Sequence, residues 1–271
     1  PRSPMGIEGT EHLSVAQKLY YEPSKSLSLQ AYGSMFFMNS YDLIQDMTFS
    51  QSRDFMAGIK LKYDVKDWFT VNLSLHGDFY DRFKRHERID ERKNVYKSKI
   101  FEPRLTLTSS YFTGHNIILG VEHTTDELTS DRFVNRRMTT RSLHETEYFL
   151  QDEWTVNSHW MLSSGVRTNF SKAFGFMWMP KIAIKYAPDN HWALRANYSM
   201  GYRAPSIKEL FFNWDHLGMF QIKGSENLQS EKNNYFSLGA EYSKDRFFIN
   251  VNAYANIFNK KIEGVWRIYD M

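Results

Sequence analysis

Cysteine is absent from the chain, which excludes disulfides and thiolate metal sites. Proline (7) and glycine (14) are few among 271 residues, so the length is not disordered linker or low-complexity sequence. No stretch approaches the roughly 18 consecutive apolar residues of a transmembrane helix, and the mean hydropathy is −0.55. That value does not speak against a membrane barrel, in which polar lumenal side chains and charged loops cancel the lipid-facing ones. Charge of one sign is also missing. The net charge of +3 gives no case for a nucleic-acid partner, and none is expected. The motifs H-E-x-x-H, G-x-S-x-G, the P-loop and G-x-G-x-x-G do not occur, and no carboxylate pair can be placed from spacing, so no enzyme is expected.

What is present is period-two alternation. In 191–202, Trp192, Leu194, Ala196, Tyr198 and Met200 alternate with Ala193, Arg195, Asn197, Ser199 and Gly201. In 69–80, Phe69, Val71, Leu73, Leu75 and Phe79 oppose Asn72, Ser74, His76 and Asp78. Runs at 27–37, 53–63, 99–111, 116–124, 159–170, 178–187, 235–242 and 246–258 behave similarly, and those near 12–21 and 146–156 are less regular. Asp152 falls among apolar positions, which predicts a bulge or a strand end there. The reading is all-β, with about twelve antiparallel up-and-down strands of roughly 9–11 residues, the length a tilted strand needs to cross a bilayer.

A β-sandwich with one wet face would alternate too, but the connections differ. Tight turns at 22–25, 64–67, 113–115, 157–158, 188–190 and 243–245 alternate with long polar stretches at 38–51, 82–97, 125–144, 171–177 and 203–230. Short turns at one end and long connections at the other are the pattern of an outer-membrane barrel. Aromatic residues flank every short turn: Tyr20 and Tyr21; Tyr63, Trp68 and Phe69; Tyr111 and Phe112; Trp154 and Trp160; Tyr186 and Trp192; Tyr242 and Phe247. Half-wet rings of this kind favour the membrane–water boundary. Neither end reads as a terminus, so residues 1–271 are expected to be part of a larger barrel domain, with no signal peptide in the stretch given.

The stretch Gly201-Tyr202-Arg203-Ala204-Pro205-Ser206-Ile207-Lys208-Glu209-Leu210-Phe211 resembles the "F/Y-R-A-P-s-l-x-E-L" box of TonB-dependent receptors. Gly224-Ser225-Glu226-Asn227-Leu228, with Glu231, is similar to that family's "G-N-P-x-L-x-P-E" box, although Ser225-Glu226 stand for Asn-Pro and Ser230 for the usual proline. Gln151-Asp152-Glu153-Trp154 and Asn259-Lys260-Lys261-Ile262 resemble further family segments. The resemblance implies a 22-stranded outer-membrane barrel with an N-terminal plug, the plugged-lumen class. It also implies active uptake of a scarce, bulky nutrient through TonB, which would engage a part of the protein outside this chain. Outer-membrane lipid is a further expected partner, and a surface lipoprotein or haem carrier is a candidate one. The alternative of another class is a non-transporting barrel, an adhesin or autotransporter translocator.

Proline at 205 fixes φ and biases Ala204 to an extended form, ending the strand. Arg203 falls on the polar parity with Arg195, Asn197 and Ser199 and needs an acidic partner, on a plug or a neighbouring strand; ligand contact is the sharper alternative. Between the boxes lies Phe212-Asn213-Trp214-Asp215-His216-Leu217-Gly218-Met219-Phe220. In haem receptors that the chain resembles, a histidine here ligates iron, and Phe211, Phe212, Trp214 and Phe220 would supply an aromatic surround. The ligand-binding candidates are therefore His216, Arg203, Trp214 and Phe220, with His216 the candidate iron ligand and Met219 a weaker one. Haem is favoured over cobalamin or a ferric siderophore as cargo, and no intrinsic cofactor is expected. The bland reading of His216 is an ordinary loop residue. His76 reads as lumenal, and His86 and His144 as loop residues. The charges at Arg82–Arg92 and Arg132–Arg141 read as solvated loop cations or as contacts to anionic lipopolysaccharide, with recruitment of an anionic ligand such as a ferric siderophore the alternative.

Overall fold

The structure is a computed structural model describing residues 8–42, 48–86, 91–134, 137–216 and 220–266. Ten consecutive strands come first: β1 (Glu8–Ser24), β2 (Leu27–Asp42), β3 (Thr48–Lys66), β4 (Phe69–His86), β5 (Glu91–Ser109), β6 (His115–Val134), β7 (Arg137–Thr155), β8 (Trp160–Ser171), β9 (Gly175–Tyr186) and β10 (Trp192–Arg203). A short helix, α1 (Ile207–Phe211), and a small hairpin, β11 (Asn213–His216) and β12 (Phe220–Lys223), follow. The chain then returns as β13 (Glu231–Lys244) and β14 (Phe247–Asn259). One antiparallel sheet of 12 strands runs β1 to β10, then β13 and β14, each paired with the next in that order. Among the described residues β1 and β14 each pair on one side only.

Alternation places the two faces as the sequence pattern requires. Leu73, Leu75 and Phe79 are exposed on the outer face, while Ser74, His76 and Asp78 face the enclosed side, where Tyr32 Oη lies 3.1 Å from His76 Nδ1. Arg104–Glu122, Arg167–Glu147 and Arg195–Glu241 pair across strands on that inner face. Pairs this exposed add little stability individually; their value is in holding register.

Two turns share one chemistry. Asn157 Oδ1 accepts from the backbone N–H of His159 and Trp160, at 2.9 and 3.0 Å, and Asp189 Oδ1 does the same for His191 and Trp192, at 2.7 and 2.9 Å. These are side-chain-closed turns, for which Asn and Asp are the suited residues. The Asp189 carboxyl is held below the usual range by those His191 and Trp192 N–H groups. In the β13–β14 turn Asp245 takes a positive φ of 50°. Rings pair beside the short turns: Trp160 stacks on Tyr186 at 4.3 Å, Trp192 tilts against Tyr242 at 4.8 Å, and Trp68 meets Tyr111 edge-on at 4.9 Å.

The structure corrects three expectations. First, β1 to β7 are 16–20 residues long, not 9–11. Most of 38–51, 82–97 and 125–144 is strand, His86 and His144 lie within β4 and β7, and 171–177 closes as a three-residue turn. The reason is a change of face. On β6 the outward row Ile117, Leu119, Val121 gives way to His123, Thr125 and Glu127, while Leu128 is buried on the inner side. Above the apolar band the wall continues as strand with its apolar side turned inward. Second, of the bulge or strand end expected at Asp152 only the bulge is ruled out, since the β6–β7 register is continuous there. Asp152 stands three residues from the end of β7, on the outer face, 2.8 Å from His115 Nδ1, whose ring stacks on Trp154. Third, the connection at 203–230 carries two strands beyond the twelve of the sheet.

Candidate functional site

The connection from β10 to β13 folds back against the inner face of the raised wall. Its entry is the Arg203–Leu210 segment. Pro205, fully buried, directs the chain out of β10. Ser206 then caps α1 in a capping box. Glu209 N–H donates to Ser206 Oγ at 3.3 Å, and Ser206 N–H and Oγ–H donate to Glu209 Oε2 at 2.8 and 3.0 Å. Arg203 Nη1 donates to both Glu209 oxygens, at 3.1 and 3.0 Å, and Nη2 lies 3.8 Å from Glu231 at the start of β13. Glu231 also accepts from Ile262 N–H at 2.9 Å, tying the segment after β14 to the same point. Arg203 thus bridges the two ends of the connection, its partners lying in α1 and on the neighbouring strand.

Burial alone would raise the Glu209 pKa; the hydrogen bonds from Ser206 and the Arg203 guanidinium outweigh it and leave the carboxyl below its ordinary 4.5. A depressed carboxylate stabilises the fold above the unfolded value and loses that contribution as pH falls through the folded one. Amide exchange at 206–212, corrected for intrinsic rates, is therefore expected to be steady from pH 7 to 5 and to accelerate below about 4.5. Exchange unaltered down to pH 3 would show that the clamp does not hold the cap.

The exit of the connection is as closely built. Gly224 N–H donates to Phe212 O at 2.6 Å and Ser225 N–H to Glu209 O at 2.9 Å. Glu226 and Asn227 form a turn closed by Leu228 N–H on Ser225 O at 3.2 Å, and Ser230 Oγ–H donates to Tyr202 Oη at 3.3 Å. A Cβ on Gly224 would stand 2.5 Å from the Glu209 carbonyl oxygen, closer than any real contact, and the obstacle is backbone. Gly224→Ala should therefore destabilise this connection by about 1–3 kcal/mol, read as faster proteolysis at 212–224 with the barrel melt unchanged.

Packing fixes the assembly on the wall. Ile207 is 1% exposed and joins Leu128 and Phe133 in one apolar cluster, with Tyr96, Leu143, Phe211 and Phe212 against it. Three cations lie over rings around this cluster. The Arg132 guanidinium is 4.3 Å from the Trp214 ring centre, Arg141 is 4.9 Å from Phe211, and Lys208 Nζ is 5.1 Å from Tyr96. None of the three forms an ion pair among the described residues, although Asp126 lies near enough to Lys208 for the charges to interact. The Arg141 Nε–H is buried without an acceptor.

Of the sequence candidates, Arg203 is engaged by carboxylates and Trp214 by Arg132. His216 and Phe220 face one another in register at the tip of the β11–β12 hairpin. Their side chains, and Met219, lie outside the described residues, so the iron-ligand expectation falls there. The Arg132–Arg141–Lys208 cluster was not legible as a unit. Its signals in the sequence are the charge run Arg132–Arg141 and inward parity: Arg141 lies two residues from Leu143 on β7, and Arg132 follows Leu128 and Ser130 on β6.

Residues 13–266 match the family model described as TonB dependent receptor-like, beta-barrel. The iron-regulated outer membrane virulence protein of Vibrio cholerae is 25% identical over 203 residues, 72% of this chain and 31% of that protein. A mutant form of the ferric enterobactin receptor PfeA from Pseudomonas aeruginosa superposes with a TM-score of 0.78 at 15% identity, covering 94% of this chain and 43% of that one. The siderophore receptor PirA of Pseudomonas aeruginosa gives 0.75 at 13% identity, over 92% and 46%. The ferric-catecholate import receptor Fiu of E. coli K12 gives 0.69 at 11% identity, over 92% and 51%. The chain therefore spans about a third of the length of the curated relative and about half of the solved receptors.

Proposed function

This chain belongs to the TonB-dependent receptor-like β-barrel family of the bacterial outer membrane, and on that premise we propose that its parent receptor takes up an anionic ferric siderophore, with transport energised through TonB. The observation that carries the reading is the inner-face cluster of Arg132, Arg141 and Lys208. It offers cations without carboxylate partners among the described residues, one buried N–H donor without an acceptor, and aromatic faces alongside. Such a surface suits a ligand with negative charge and flat rings, since hydrogen bonds from an ionised donor to an anion are the strong ones. The neighbours named for siderophores and iron regulation support the same class. Haem is the second reading, supported by the position of His216 at the hairpin tip beside Trp214.

The test uses the full-length receptor and two probes, a ferric tris-catecholate complex and haem. With Arg132, Arg141 and Lys208 all replaced by Gln, affinity for the catecholate complex should fall at least 100-fold, at about 1.5–3 kcal/mol per charged hydrogen bond, and His216→Ala should leave it unchanged. Tight catecholate binding by the triple variant would overturn the assignment. A shifted Soret band that His216→Ala abolishes would replace it with haem.

A further inference from the structure

Where β6 and β7 rise above the apolar band, two histidines share the outer face. His123 and Thr125 project outward on β6, and register sets Thr146 opposite the first and His144 opposite the second. The two imidazoles therefore lie on one diagonal of the strand pair. Their planes are 15° apart and their centres 6.2 Å apart. They converge on one atom: Thr125 Oγ1 lies 3.3 Å from His123 Nε2 and 3.2 Å from His144 Nδ1. That hydroxyl has a single proton and can donate to only one ring at a time. An ion at the same point would meet both lone pairs together.

The surroundings orient the rings for that role. His123 Nδ1 lies 2.8 Å from Thr146 Oγ1. Donation from Nδ1–H to that hydroxyl leaves the lone pair on Nε2, toward Thr125. A metal-bound imidazole is held in this way, by a partner on its other nitrogen. Two imidazoles on one ion have ring centres roughly 4.5–5 Å apart, given metal–nitrogen bonds of about 2.0–2.1 Å. The rings would close by about 1–2 Å, within reach of side-chain torsions across a diagonal. Local charge does not oppose a cation. Phe101 on β5 and Phe170 on β8 flank the pair in register, and Lys99, the next outward residue on β5, is paired with Glu127. His144 is exposed, so an ion can arrive from solvent.

We propose that His123 and His144 bind a divalent first-row transition-metal ion, with the Thr125 hydroxyl and water completing its shell and Thr146 positioning His123. Neutral nitrogen donors favour such ions over calcium or magnesium, and Cu²⁺ should bind more tightly than Ni²⁺ or Zn²⁺. No group of three His, Asp or Glu side chains suited to a metal occurs among the described residues, so water holds the open positions. The site faces away from the barrel interior and is distinct from the cluster assigned to the transported ligand.

The experiment is titration of the full-length receptor in detergent with Cu²⁺, free of siderophore and of any polyhistidine tag. Calorimetry gives the affinity, and electron paramagnetic resonance at one equivalent counts the bound nitrogens. The unaltered protein should show hyperfine structure from two imidazoles. His123→Gln or His144→Gln should leave one and weaken Cu²⁺ about 100-fold, since two linked ligands gain about that much over one. Thr146→Val should cost about tenfold with both nitrogens retained, and Thr146→Ser should restore the affinity. His115→Gln, at the opposite end of β6 and facing Asp152, should leave binding unchanged. If His123→Gln fails to reach the folded, heat-modifiable form, His144→Gln at its exposed position carries the test alone. Unchanged affinity in folded His144→Gln, an equal loss in His115→Gln, or a single bound nitrogen in the unaltered receptor would each overturn the proposal.

Discussion

Leu105→Arg is expected to cost the full-length receptor about 2–4 kcal/mol of folding free energy in bilayers, while Thr106→Arg, one residue on, should cost less than about 1 kcal/mol. The two positions differ only in face. Leu105 projects outward among Leu73, Leu107 and Val121, in the middle of the apolar band. Thr106 projects inward beside Asn72 and Gly120, where a guanidinium can stay hydrated. A charge at the bilayer midplane must drag water with it or thin the membrane, and a lumenal one need not. Urea titration of the receptor in vesicles, read by heat-modifiable migration, measures both. Equal costs would mean that the outward face is not lipid-covered.

The other large effect belongs to the connection between β10 and β13. Ile207→Asp should release it from the wall at a cost of about 3–5 kcal/mol, because the carboxylate would enter an apolar site lined by Leu128 and Phe133. Ile207→Val, which keeps the packing, should cost about 1 kcal/mol. The expected readout is rapid proteolysis within 206–230 and exposure of Trp214 to a fluorescence quencher, with the barrel still folded. Loss of the whole barrel would mean that the cluster supports the wall as well as the connection.

These two contrasts trace where the sequence was informative. Within the bilayer the medium enforces one rule at every second residue, and Leu73, Leu105 and Leu238 all follow it. The aromatic belt was legible for the same reason, since every short turn sits at one interface. Above the band water returns to the outer side, polar residues appear at positions such as Thr125 and Thr140, and the strand carries the sequence pattern of a loop. The compensating signal, Leu128 and Leu143 on the inner parity, is too sparse to recognise before the partner segment carrying Ile207 is known. Asp152 misled for a related reason: an outward carboxylate within the belt is acceptable because His115 and Trp154 meet it there. Arg132 and Arg141 belong to one charged stretch of the chain, but Lys208 joins them from α1, far along the sequence, so nothing local announces the three together. Arg203, by contrast, sits six residues before Glu209, and its structural role could be inferred from the box itself.

The reversal of apolar sides at the top of β5, β6 and β7 also limits how this wall can change by descent. Inserting one residue low in β6 would rotate every side chain above it to the opposite face. Ile117 and Leu119 would leave the hydrocarbon, and Leu128 would leave its cluster, in a single event. Insertion of two residues only lifts the pattern by one pleat. Length variation inside these strands should therefore accumulate in pairs among descendants.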